Sequence, residues 1–147
     1  MARLSLIPAA YIFLERDDGK FLLMLRARTG YEDGKYQTPS GHIEEGETPR
    51  EAAAREALEE VGVTIRPEDL EPVHAMYRMH EDKTGYRMDL SFKTTKWEGE
   101  PYNAEPEKCD ELIWVDPAAL PENTTGVIRS IVKDMKEGRS FSEYVTS

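Results

Sequence analysis

Hydrophobic and polar positions change period several times along the chain, and each change marks an element. From Leu4 to Glu15 the mostly apolar run reads as a strand, with Pro8 near its start. Asp18-Gly19 is a hairpin turn signal, and Phe21 to Arg26 reads as the return strand. A polar loop, Arg28 to Lys35, leads to a short extended segment and turn, Tyr36 to Ser40. The period then becomes helical: Ala54, Ala57, Leu58 and Val61 share one face. The limits of that helix are written beside it. Thr48 can cap its start, Pro49 suits the first helical position, Glu51 completes a capping box, and Gly62 terminates it. Val63 to Ile65 reads as a short strand and Arg66 to Glu71 as a connector. Val73 to His80 and Tyr86 to Trp97 read as strands around a turn near Asp82-Lys83-Thr84-Gly85. Glu98 to Asp110 is a long polar loop, a kind that often carries function. Glu111 to Val115 is a short strand and Asp116 to Leu120 a helical turn. Thr124 to Lys136 is an amphipathic helix whose apolar side is Val127, Ile128, Ile131, Val132 and Met135, with Gly138 ending it. The tail carries Phe141 and Tyr144, and whether it docks or hangs loose stays open. Strands mixed with one internal and one terminal helix predict a layered α/β arrangement.

Length and charge narrow the picture. The 147 residues predict a single domain spanning 1–147. A chain of that size buries roughly 70% of its unfolded surface. The net charge of −10 argues against nonspecific nucleic-acid binding and against an anionic membrane surface. The single cysteine, Cys109, forms no intramolecular disulfide and fits a reducing compartment. It is expected as a buried small apolar residue. No secretory signal is evident, and the apolar run Ile7 to Leu14 is far short of the ~20 residues that span a bilayer. The expectation is a cytoplasmic protein, monomeric or homodimeric.

The chemistry concentrates in the first helix. Glu56, Glu59 and Glu60 stand at spacings of three and one, which places them on one helical face nearly opposite the apolar one. Like charges so close repel, and a divalent cation turns that repulsion into attraction. Oxygen-only ligands point to a hard cation: Mg²⁺, which keeps several waters and is usually shared with substrate phosphates, with Mn²⁺ as a substitute. Three histidines and one cysteine, all far apart, argue against zinc.

The run from Gly41 to Val63 resembles the Nudix box: Gly41, five residues, Glu47, seven residues, then Arg55-Glu56-Ala-Leu-Glu59-Glu60-Val-Gly62-Val63. All the fixed positions match. The resemblance implies the Nudix fold, a mixed β-sheet sandwiched between α-helices, and hydrolysis of a nucleoside diphosphate linked to another group. Further residues resemble the MutT-like branch. Trp97-Glu-Gly-Glu-Pro101 repeats its motif, and Glu105 falls on its loop glutamate at the metal centre. Arg26 falls on an arginine of its nucleotide site, and Asn123 on the asparagine that reads the purine. The implied metal set is Glu56, Glu59, Glu60 and Glu105, with the backbone carbonyl of Ser40. The implied catalytic set is Glu56 as the base favoured over Glu105, with Arg55 orienting Glu47 and Glu56. Arg26 and Asn123 are the implied substrate contacts. Plainer readings stay open beside these: Glu105 as a loop carboxylate, Arg26 as a strand-end cation, and Asn123 as N-cap of the last helix. The sequence also departs from the family. Ser40 replaces a glycine before the box. Ala57 replaces a bulkier residue, with Leu58 beside it to supply packing. Thr38 replaces an aromatic, which implies a different base pocket. The implied activity is Mg²⁺-dependent cleavage of a nucleoside triphosphate to monophosphate and pyrophosphate, with a small-molecule nucleotide as partner. The alternatives are a nucleotide sugar, a dinucleoside polyphosphate or a pteridine triphosphate, or a nucleotide-binding module without turnover.

Overall fold

In the computed structural model, which describes residues 3–80 and 85–146, alternate residues of the first strand face opposite ways and both sets are buried. β1 spans Leu6–Leu14 and β2 Phe21–Arg26. β3 is Tyr36–Gln37, β4 Ser40–His42, and α1 Pro49–Val61. β5 follows a 3-10 turn at Pro67–Asp69 and spans Glu71–His80; β6 is Tyr86–Thr94 and β7 Cys109–Val115. α2 is Gly126–Lys136 and β8 Phe141–Thr146.

The strands form two sheets. One, in the order β4-β1-β6-β5-β8, is mixed: β1 runs parallel to β6 and β5 parallel to β8, and the other pairs are antiparallel. The other is antiparallel, in the order β3-β2-β7. Ala10, Ile12 and Leu14 of β1 and Leu22 and Met24 of β2 pack with Ala52, Ala53, Ala57 and Val61 of α1. The intervening residues, Ala9, Tyr11, Phe13, Phe21 and Leu23, pack with Val127, Ile128, Ile131 and Val132 of α2. Both sheets therefore lie between the two helices, as a Nudix fold requires.

Several expectations need correction. The turn at Asp18-Gly19 forms, closed by Arg16 N to Lys20 O at 2.8 Å, but β1 and β2 do not make a hairpin. Only an isolated Glu15–Phe21 bridge joins them before β2 leaves for the second sheet. β1 already has partners on both edges, β4 and β6, so β2 has no free edge to take. Val63 to Ile65 makes one bridge, Thr64 to Glu98, rather than a strand. Asp116 to Leu120 is a turn, with Asp116 Oδ1 accepting from Ala118 N. The turn expected at Asp82 to Thr84 lies outside the described residues. On α1, Ala52 and Ala53 face the core, while Leu58 is half exposed and packs little. The small alanines allow the close approach of helix and sheet that a leucine on that face would prevent. The tail docks: β8 pairs in parallel with β5, Ala75 opposite Phe141. Cys109 is buried, as expected, and burial pushes its thiol pKa up.

Candidate active site

The box is held together by its arginine. α1 begins on a reciprocal cap, with Thr48 Oγ1 accepting from Glu51 N at 3.2 Å and Glu51 Oε1 from Thr48 N at 2.9 Å. It ends at Gly62, whose φ of 71° favours glycine. This fixes the rotation of the helix and turns Arg55, Glu56, Glu59 and Glu60 toward a cleft of about 710 Å³ beside β1, β4 and the loop before β7. Arg55 Nε and Nη2 donate to the two oxygens of Glu47 at 2.9 and 2.7 Å. Its Nη1 donates to Glu56 Oε1 at 2.7 Å and more loosely to Glu59 at 3.4 Å, and Nη2 also reaches the His42 carbonyl at 3.0 Å. The Arg55 guanidinium holds the Glu47 carboxyl down at about 2.

Glu56 and Glu60 are perturbed the other way. Burial raises the pKa of Glu56 against the opposing pull of Arg55, with Glu59 and Glu105 adding to the rise. Burial pushes Glu60 well above the usual carboxylate range, and Glu56 and Glu105 push it further. The hydrogen bond that Glu60 Oε2 accepts from Ser40 N, at 2.9 Å, offsets part of this. Gly41 is part of the same geometry: a methyl there would collide with the Glu56 carboxylate.

Glu105 comes from the long loop, which is strapped to the end of α1. Tyr102 N donates to Val61 O at 3.0 Å and Ala104 N to Glu60 O at 3.2 Å, so the free carbonyls of the last helical turn find donors in the loop. Asn103 Nδ2 bonds Cys109 O at 2.7 Å, and Arg28 reaches Pro106 O at 2.7 Å and Asp110 Oδ1 at 2.8 Å. Glu105 lines the same cleft as Glu56, Glu59 and Glu60.

The donor set fits a hard divalent cation. It is all oxygen, and it contains a partly buried carboxylate, Glu60, beside two others that repel it. Among the described residues no three His, Cys, Asp or Glu side chains are already gathered closely enough to hold a metal ion. Glu56, Glu59, Glu60 and Glu105 could hold it.

Of the two expected substrate contacts, one lies in the cleft. Arg26 lines it, with Nε donating to Tyr31 O at 2.8 Å and Nη2 to Thr29 Oγ1 at 3.1 Å. Asn123 is exposed and does not line the cleft; its Nδ2 donates to Gly34 O at 2.9 Å. Nor does it cap α2. Thr125 does, its hydroxyl accepting from Ile128 N at 3.4 Å. The sequence reading missed a second polar group in the cleft: Arg78, Tyr11, Tyr31 and Arg87, with Asp89 behind them. The signal was Arg87-Met-Asp89-Leu-Ser91, whose polar members alternate like a solvent-facing side. Asp89 and Ser91 are in fact fully buried, because β6 is an interior strand covered on both faces.

The comparisons with known proteins agree with this architecture. The family model described as the NUDIX domain matches residues 5–135. The chain is 30% identical to an RNA pyrophosphohydrolase of Gluconobacter oxydans, over 87% of this chain and 82% of that protein. It is 31% identical to the 8-oxo-dGTP diphosphatase of Escherichia coli, over 80% of this chain and 90% of that one. Its fold superposes on a MutT Nudix hydrolase of Burkholderia pseudomallei with a TM-score of 0.80 at 22% identity, covering 88% of this chain and 97% of the other. With the box intact, the fold matched and the family model running through both helices, the chain belongs to the Nudix family, in its MutT-like branch, and is a hydrolase of nucleotide-type substrates.

Proposed function

We propose that the protein hydrolyses nucleoside triphosphates to a nucleoside monophosphate and pyrophosphate with Mg²⁺, for which Mn²⁺ substitutes. The observation that carries this reading is the gathering of Glu56, Glu59, Glu60 and Glu105 at one cleft, with Glu60 raised well above the carboxylate range by desolvation first and by Glu56 and Glu105 after it. A carboxylate in that position is costly unless a cation joins it. Glu56, Glu59, Glu60 and Glu105 hold the cation, with the Ser40 carbonyl. When bound, the metal neutralises phosphate charge and acidifies an attacking water.

The chain's own residues do the rest. Glu56, whose proton affinity is already raised, takes the proton of the water; Glu105 is the second choice. Arg55 keeps Glu56 aimed by spanning it and Glu47. Arg26, which lines the same cleft and acts on the Glu60 carboxylate, supplies a cation for a phosphate oxygen. The named relatives, an RNA pyrophosphohydrolase and an 8-oxo-dGTP diphosphatase, support cleavage of a phosphoric anhydride. The net charge of −10 favours a free nucleotide over an RNA end, since polyanion binding draws on excess cationic surface. The test is a screen of the purified protein with Mg²⁺ against triphosphates, nucleotide sugars, dinucleoside polyphosphates and RNA 5′-triphosphates, scored by phosphate products. Triphosphates are expected to lead. A clear lead by any other class overturns the reading.

A further inference from the structure

On the α1 side, the mixed sheet continues as an apolar face beyond the reach of that helix. Partner residues on neighbouring strands point to one side of a sheet, and the register lines them up here across β1, β6, β5 and β8. Pro8 stands beside Met88, Met88 opposite Tyr77, and Tyr77 beside Glu143. Two residues along, Leu6 stands beside Tyr86 and Met79 beside Val145. On the other flank Phe141, beside Ala75, extends the patch along β8. α1 covers this side of the sheet at Ala10, Ile12, Leu14 and Phe92, and α2 packs on the opposite side, against Tyr11, Phe13 and Met76. Among the described residues there is no third α-helix. Leu6 is left 38% exposed, Phe141 55% and Val145 61%, while Tyr77, Met79, Tyr86 and Met88 are half-buried.

The layout of the patch fits a second copy of itself. Among these residues only Glu143 is charged, and it stands on the edge strand β8. The middle strands present Tyr77, Met79, Tyr86 and Met88, aromatic and methionine side chains of the kind enriched at interface centres. The rings of Tyr77 and Tyr86 already meet edge to face, with centroids 6.1 Å apart, so the centre of the patch is ordered before a partner arrives. The most exposed members flank it, Val145 on β8 and Leu6 on β1. A two-fold axis along the strands, between β5 and β6, exchanges β8 with β1 and lays Val145 of each copy over Leu6 of the other, at the ~10 Å spacing of stacked sheets. The same axis holds the two Glu143 carboxylates at opposite margins, on the order of 15 Å apart and beyond the screening length at physiological salt. Elsewhere a net charge of −10 makes two copies repel. This face is where they approach with least opposition.

We infer that this face is the contact of a reversible homodimer, two copies stacked sheet on sheet about a two-fold axis. Its size sets the strength. Strand spacing and same-side residue spacing make the patch roughly 14 Å each way between outer Cα atoms. With the side chains at its border it covers on the order of 500 Å² per copy, so a pair buries about 1,000 Å², the lower bound of a specific interface. The association is accordingly weak and depends on concentration. Apolar burial drives it and net charge opposes it, so added salt strengthens it by screening the repulsion. The same net charge sets the face against an anionic membrane. Leu6, Tyr77, Met88 and Val145 stand outside the cleft, so association is separable from the chemistry proposed there.

The test is sedimentation velocity of the full chain from about 1 to about 300 µM, the range in which interfaces of this size associate. The wild type is expected to pass from monomer toward dimer over that range, with the midpoint moving to lower concentration as NaCl is raised. Met88→Glu puts a charge at the centre of the contact and is expected to leave monomer throughout. Val145→Glu does the same at a position already 61% exposed, which tests the inference even if Met88→Glu fails to fold. Thermal melts verify folding of both. A wild type that stays monomeric at every concentration and salt overturns the inference. So does a dimer that persists in either folded variant, which places the contact elsewhere, or one that weakens as salt rises, which assigns it to charge pairs. Flotation with neutral phosphatidylcholine vesicles, lost in Val145→Glu, by a wild type that does not dimerise overturns it in favour of a lipid surface.

Discussion

At the level of single residues, opposite pKa displacements separate Glu47, which is tied to Arg55, from Glu56 and Glu60, the proposed cation ligands. Glu60 gains proton affinity on folding, so its ionised form costs stability in the metal-free protein above its ordinary range. Glu60→Gln is therefore expected to raise Tm slightly without metal at neutral pH, to abolish the Tm increase that Mg²⁺ gives the wild type, and to lower kcat by a factor on the order of 10² or more. Near-normal turnover of Glu60→Gln at saturating Mg²⁺ sinks the assignment. Glu47 is displaced the other way. Its carboxyl sits at about 2, below its usual 4.5, so it stabilises the fold above pH 4.5 and that contribution is lost as pH falls toward 2. Melting curves of metal-free Glu47→Gln are expected to fall below wild type at pH 7 and to converge with it near pH 2. The sequence made these carboxylates legible because a helix turns spacing directly into direction. It hid Arg78, Asp89 and Arg87, whose juxtaposition depends on the register of β5 against β6, Arg78 opposite Arg87 and Met76 opposite Asp89. No local period encodes that register.

At the level of elements, local signals succeeded where one residue decides the outcome and failed where strands compete for edges. The start of α1 was legible because Thr48, Pro49 and Glu51 all act within one turn. The start of α2 was misassigned by two residues, since Asn123, Thr124 and Thr125 are all adequate caps and tertiary contacts choose among them. Asn123 is spent on the β3 side of the molecule: its carbonyl accepts from Tyr36 N at 2.9 Å and its amide reaches Gly34. Thr125→Ala is accordingly expected to cost about 1 kcal/mol of stability. Asn123→Ser is expected to leave the ranking of nucleobases unchanged in kcat/KM, because the residue stands outside the cleft. A changed ranking in Asn123→Ser restores it as a base reader. The hairpin expected between β1 and β2 failed for a different reason. A turn signal reports that the chain reverses, not which edge it then meets, and β6, distant in sequence, holds the edge of β1 over its whole length.

Across the whole molecule, the proposed reading sets a triphosphate against the carboxylates of one cleft, and its direction there decides which bond breaks. Glu56, Glu59, Glu60 and Glu105 line the cleft together with Arg26. In that reading a triphosphate runs its phosphates along the carboxylates. The same reading puts the inner anhydride nearest Glu56. Water activated beside Glu56 and attacking the β-phosphorus expels the nucleoside monophosphate and enters the pyrophosphate. Attack at the α-phosphorus places the same oxygen in the monophosphate. Attack at the γ-phosphorus yields diphosphate and orthophosphate. Hydrolysis in ¹⁸O-water, with mass spectrometry of both products, separates the three. The label is expected in pyrophosphate. Label in the monophosphate refutes attack at the β-phosphorus and moves the reacting phosphorus one position toward the base, which favours the substrates built on a nucleoside diphosphate linked to another group. Orthophosphate as the labelled product contradicts the pyrophosphohydrolase reading altogether.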